Sequence, residues 1–179
     1  MKTYIVLLRG INVGGHKKVL MAELRELLSN SGFKNVRTYI QSGNVILESS
    51  EENPQNIENI IHKAIIAHFG FEVSILVRTR QELQAVFDNC PFLDEKKINS
   101  YFTLLHSIPE KNLIESVSHI SYPNEEFVIT DACIYFYCSM GYGNVKFNSN
   151  LFERKLKTTT TTRNYKTMVK LLSLSLDLN

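Results

Sequence analysis

The sequence predicts an α+β protein made of two ferredoxin-like βαββαβ-type halves packed together, with antiparallel sheets, helices on one face and a C-terminal helix. Three observations carry this expectation. Over residues 1–79 short strand-forming runs alternate with helical periodicity in the order strand, helix, strand, strand, helix, strand. From 80 to 179 the order partly returns, which sets the expected halves at 1–79 and 80–179. The 179 residues, 44% of them hydrophobic, are enough for one domain or two small fused ones with a real core.

The first half reads as follows. Tyr4 to Leu8 is an apolar run expected to form a strand buried on both faces. A glycine-rich loop, Gly10 to Lys18, leads into a helix whose Leu20, Met21, Leu24, Leu27 and Leu28 recur at helical spacing, with Gly32 placed to end it. Val36–Ile40 and Val45–Leu47 are strands joined through the polar turn Gln41-Ser42-Gly43-Asn44. Pro54 suits the first turn of a second helix, whose apolar face is Ile57, Ile60, Ile61, Ala64, Ile65 and Phe69 and whose end is Gly70. Val73–Val77 is the fourth strand.

A connecting helix over about 80–89 carries Leu83, Val86 and Phe87 on one side. Tyr101–Leu105 is a strand, Pro109–Val117 a short helix, and Phe127–Ile129 with Cys133–Cys138 a strand pair. Asn148–Leu156 is helical. The threonine run Thr158–Thr162 fits either a strand or a loop; the loop is favoured here, with Thr161 or Thr162 as N-cap of the closing helix. That helix starts near Asn164 and stripes Tyr165, Met168, Val169, Leu172 and Leu176.

Composition narrows the classes. A net charge of +2 is too small to advertise nucleic-acid binding, and neither disorder nor a rod-like repeat fits. Three cysteines without a CxxC point to a reducing cytoplasm rather than a disulfide framework. The apolar run at the N-terminus is too short for a signal peptide, and no stretch of eighteen apolar residues suggests a membrane span.

The segments LLRGINVGG (7–15), TYIQSGNV (38–45) and TTTRNYKT (160–167) resemble a bacterial family of small cytosolic proteins known only as a domain of unknown function. Tyr165 stands where that family usually has Trp. The resemblance spans essentially the whole chain and implies two ferredoxin-like halves; it implies no activity.

Topology localises a working edge. In the ferredoxin-like order the loop after the first strand and the turn between the second and third strands share one sheet edge, so Gly10–Lys18 and Gln41–Asn44 should converge. The loop falls short of a phosphate-binding Walker A pattern, because His16 stands where Lys is required and no Ser or Thr follows. Successive glycines before a helix still suit an anion. Lys17 and Lys18 before the first helix, and Arg163 and Lys166 at the start of the last, run against the helix dipole; they fit either a bound anion or ordinary solvated charges. Arg9 emerges at the same edge, either as a ligand contact or as a buried partner of carbonyls.

The expected ligand set is Arg9, Asn12, Gly14, Gly15, Lys17, Gln41, Ser42, Asn44, Arg163 and Asn164, on a phosphate-containing small molecule or nucleotide. Asn44 beside Gly43 equally fits turn chemistry. No metal or cofactor is expected: His62 and His68 stand about 240° apart around a helix, and no HExxH or GxSxG occurs. RNA fits through its backbone, not through an aromatic sheet face, because the third strand lacks aromatics. Two alternatives stand beside the anion-binding reading. One is a protein-interaction module, through Tyr135 and Tyr137 or the final helix; the other is an enzyme on an anionic small molecule, with His16 or Glu23 as its acid or base.

Overall fold

The computed structural model describes residues 1–141 and 145–176. Among these, the elements are β1 (Lys2–Leu8), α1 (Met21–Asn30), β2 (Lys34–Tyr39), β3 (Asn44–Ser49), α2 (Pro54–Phe69), β4 (Ile75–Thr79), α3 (Arg80–Asp88), α4 (Asp94–Ile98), β5 (Ser100–Leu105), α5 (Lys111–Ser118), β6 (Glu125–Ile129), β7 (Cys133–Cys138), α6 (Ser149–Leu156), β8 (Thr160–Asn164) and α7 (Tyr165–Leu174). Two four-stranded antiparallel sheets result, ordered β2-β3-β1-β4 and β6-β7-β5-β8. Counted within each half, the two orders are identical. The α+β class and the ferredoxin-like halves therefore hold, and the second half completes a pattern only partly visible in its sequence. The compact units are Met1–Gln84 together with the chain from Lys170, and Ala85–Val169.

In the first unit β1 is central, and Tyr4 to Leu8 are fully buried. Alternation sends Tyr4, Val6 and Leu8, with Val45, Leu47 and Val77, toward Leu24 and Leu28 of α1 and Ile57, Ile61 and Ile65 of α2. Helix α2 is bounded as its sequence suggests: the Asn53 side chain accepts from the Gln55 N–H, Pro54 opens the first turn, and Gly70 ends it at φ 77°. Its buried stripe differs from the apolar reading, however. Ile60 is exposed, and Glu58 is buried in the stripe instead. The Glu58 Oε1 accepts the Val77 N–H at 2.9 Å, satisfying an outward donor of the edge strand β4 that no other strand reaches.

The second unit repeats the plan around β5. Leu105, Ile134, Phe136 and Cys138 pack with Val117 of α5, with Phe152 and Leu156 of α6, and with Phe147. On the opposite sheet face Phe102 stacks with Phe87 of α3 at 5.7 Å, and the Tyr135 hydroxyl donates to the Val86 carbonyl. The edge strand is again clamped by a glutamate: Glu153 accepts from the Thr160 N–H at 2.6 Å and from its hydroxyl at 3.0 Å.

Three local expectations fail here. The threonine run does not stay a loop: residues 160–164 form β8, with Thr162 opposite Thr103 and their hydroxyls 2.9 Å apart. β-Branched side chains fit the pleat, and pairing with β5 outweighs their capping preference. The cap of α7 falls to Asn164, whose Oδ1 accepts the Thr167 N–H, rather than to Thr161 or Thr162. Along α7, Met168, Leu171 and Leu172 are buried while Val169 is exposed, as is Leu176 beyond the helix end, so the stripe is rotated from the one expected. Among the described residues no helix is long and apolar enough to cross a membrane.

Candidate functional site

The two segments expected to share an edge do meet. The Leu8 N–H donates to the Gly43 carbonyl at 2.7 Å, and the Asn12 Nδ2 donates to the Gln41 carbonyl at 2.9 Å. A third segment, residues 70–74 ahead of β4, joins them. The Arg9 N–H donates to the Ser74 carbonyl at 2.9 Å, and the Lys17 ammonium to the Glu72 carbonyl at 2.6 Å. Nothing in the sequence pattern of 70–74 marks it as part of this edge; only the antiparallel pairing of β4 with β1 brings it there.

The loop is a pinned hairpin. Gly14 (φ 58°) and Gly15 (φ 79°) are both left-handed, and the His16 N–H donates to the Val13 carbonyl, the geometry of a two-residue type I′ turn. Asn12 ties the base. Its Oδ1 accepts the Val19 N–H at 2.8 Å, its Nδ2 donates to the Val19 carbonyl at 2.9 Å, and its own N–H reaches the Lys17 carbonyl. Asn tolerates the left-handed φ of 55° that this requires; Lys17, at 48°, is less suited to it. Lys18 to Leu20 separate the hairpin from α1, so the glycine amides do not lead directly into the helix as the sequence suggested.

The facing turn is also unusual. Ile40 sits at φ 47°, a left-handed conformation that costs a β-branched residue about 1–2 kcal/mol, and its side chain is 51% exposed. Gly43 at φ 78° leaves no room for a side chain, since a Cβ there would lie 2.7 Å from the Leu8 Cβ.

The expected ligand residues divide between the units. Gly14, Gly15, Lys17, Gln41 and Ser42 are exposed at the hairpin edge, with Arg9 and Asn12 partly exposed. Asn44 is fully buried, its amide donating to the Tyr39 carbonyl and the Ser42 hydroxyl, and so holds the turn. Arg163 and Asn164 belong to the second unit. Arg163 is buried, donates to the Thr161 hydroxyl and the Thr162 carbonyl at 2.9 Å each, and has its pKa lowered to about 10 by that burial.

A cleft of about 430 Å³ opens at one end of the second sheet. Tyr101 and Tyr137 line it together with Asn164, Tyr165 and Lys166 from the junction of β8 and α7. The interaction-module alternative offered Tyr135 and Tyr137 together, but Tyr135 is buried. Strand alternation buries Phe136 against the helices, and Tyr137, near the strand end, is left half-exposed at the cleft.

No group of three metal-ligating side chains occurs among the described residues. The three cysteines are free and buried, and burial pushes the Cys133 thiol well above its usual range and raises that of Cys90.

A family model described as a protein of unknown function, DUF1697, matches residues 1–135, a span that holds the hairpin and the facing turn. Among solved structures the chain resembles a conserved bacterial protein, SP0830 from Streptococcus pneumoniae. The two are 26% identical with a TM-score of 0.77, over 97% of this chain and 98% of that one. No curated protein matches.

Proposed function

The chain belongs to the DUF1697 family of proteins of unknown function, and on that premise we propose that it binds a phosphorylated or otherwise anionic ligand at the hairpin edge of the first unit. One observation carries the reading: an exposed loop with Gly14, Gly15, His16, Lys17 and Lys18 at its surface is held rigid by the hydrogen bonds of Asn12 and Lys17. Gly10, Asn12, Gly14, Gly15 and Lys17 all adopt left-handed backbone. Fixing such a loop before a ligand arrives removes the entropy that binding would otherwise lose. Exposed amides, Lys18 and Arg9 supply the charge and donors that phosphate or carboxylate takes. The free, buried cysteines support a cytoplasmic setting for this activity.

Thermal shift against phosphate, nucleotides, short RNA and carboxylate metabolites tests it, because a ligand that binds only the native state raises Tm. At least one anion is expected to raise Tm by several degrees at low salt and less at high salt. Arg9→Ala and Lys18→Ala should each diminish that shift. If both variants fold and bind every anion as the parent does, the reading is wrong.

A second reading draws on Val13 (65% exposed), Leu20 (62%) and Ile40 (51%), large apolar side chains on the same loops. These favour a protein partner. Absence of any anion shift, together with a mass that grows with concentration in light scattering, would favour it over the first.

A further inference from the structure

The cleft in the second unit has a counterpart position in the first, and the counterpart is closed. In the first sheet Tyr4 lies opposite Leu47 and Thr79; in the second, Tyr101 lies opposite Phe136 and Asn164, the same two relations. Tyr4 is wholly buried, its hydroxyl donating to the Glu51 and Glu52 carbonyls of the short connection between β3 and α2. Tyr101 is only half-buried and lines the open cleft of about 430 Å³. The opening is therefore a departure from a plan that the fold can close.

Its lining has a definite chemistry. Tyr101, Tyr137 and Tyr165 offer ring surface, and Tyr165 is braced by Phe87 at 5.4 Å. The hydroxyls of Tyr137 and Tyr165 have no hydrogen-bond partner among the described residues. Asn164 commits its Oδ1 to the Thr167 N–H, which fixes the side chain and leaves its Nδ2 as a donor. Lys166 is exposed and has no carboxylate partner among the described residues, whereas Lys96, whose ammonium lies 5.6 Å from the centroid of the Tyr137 ring, is held by Glu126 at 2.7 Å. Aromatic faces, neutral donors and the Lys166 ammonium suit a flat, hydrogen-bonding ring that carries an anionic group. The volume lies within the range of about 300–1,000 Å³ usual for small-molecule sites.

We propose that this cleft binds a nucleoside monophosphate, its base against the tyrosines and its phosphate at Lys166. The site is built from residues of the second unit and does not depend on the reading given for the hairpin edge. Titration calorimetry tests it with the four nucleoside 5′-monophosphates, the parent nucleosides, inorganic phosphate and a short single-stranded oligonucleotide. The proteins are the parent chain, Lys166→Ala, Tyr137→Leu and, as a hairpin control, Lys18→Ala.

At least one monophosphate is expected to bind saturably and more tightly than its nucleoside or phosphate. Lys166→Ala and Tyr137→Leu should each weaken it about tenfold, and each by more than Lys18→Ala does. The same pattern with an oligonucleotide binding tighter still supports nucleotide recognition and assigns its source to a nucleic-acid chain. The proposal is overturned if no monophosphate binds at millimolar concentration. It is equally overturned if the two cleft variants, folded by circular dichroism, bind as the parent does, or if only Lys18→Ala removes binding.

Discussion

At the end of its central strand each unit makes the same pair of hydrogen bonds, yet the surfaces built on them differ. In the first unit Leu8 donates to Gly43 and Arg9 to Ser74; in the second, Leu105 donates to Ala132 and His106 to Thr159. The second unit finishes this edge economically. Thr130 closes its turn on Cys133 without any left-handed residue from 130 to 133, and Ser107 settles on the Thr158 hydroxyl. The first unit adds a pinned glycine hairpin, a left-handed isoleucine and a glycine with no space for a methyl group. The shared plan does not demand these strained features, so they belong to the hairpin edge itself. At the other end of the sheets the asymmetry reverses: Tyr4 closes the first unit, and Tyr101 lines an opening in the second.

Gly43 and Ala132 put this comparison under the sharpest test. A Cβ on Gly43 would meet the Leu8 Cβ at 2.7 Å and the Leu8 carbonyl oxygen at 2.9 Å, at a φ of 78°. Gly43→Ala is expected to lower stability by about 3 kcal/mol or more in denaturant unfolding. Ala132→Gly, at the matching position, should lose no more than about 1 kcal/mol. Equal losses would dissolve the distinction between the two edges.

The glutamate clamps sharpen the likeness instead. Glu58→Ala strands the Val77 N–H, and Glu153→Ala strands that of Thr160; each should lower stability by about 2 kcal/mol. Hydrogen exchange at Val77 and Thr160 should accelerate in the matching variant only. Unchanged protection at both amides would show the clamps to be idle.

The smallest effects concern the helices that follow the last strand of each sheet. Thr79 and Glu82 cap α3 reciprocally, the Glu82 carboxylate accepting from the Thr79 N–H and the Thr79 hydroxyl from the Glu82 N–H. Asn164 caps α7 alone. Thr79→Ala and Asn164→Ala should each lower stability by about 1 kcal/mol in chemical denaturation. A loss under about 0.5 kcal/mol, the scatter of surface substitutions, would remove the capping role.

The first unit was legible because its punctuation is strong. Pro54, Gly70 and Gly32 bound helices whose apolar residues keep a 3.6 period, and the chain order alone brought Gly10–Lys18 to the turn at 41–44. Glu58 escaped notice because an apolar-face reading counts only apolar residues; a carboxylate next to Ile57 and three places before Ile61 shows its role only beside an open strand edge. Threonine at 160–162 suits a cap and a pleat equally, and the deciding partner, Thr103, lies far away in sequence. The cleft was illegible for the same reason. Tyr101, Tyr137 and Tyr165 come from three separate elements, and no local spacing relates them.

The compact unit that begins at Met1 also includes the chain from Lys170, with all of Ala85–Val169 in between. On a ribosome the order of synthesis is therefore not the order of completion. The first sheet emerges early and can pair its strands, but the last piece of its unit is translated only after every residue of the second. Domains usually fold as units, N-terminal first. Here the earlier unit must wait in an unfinished state while the later one is made, and the second unit is the first whose residues are all present.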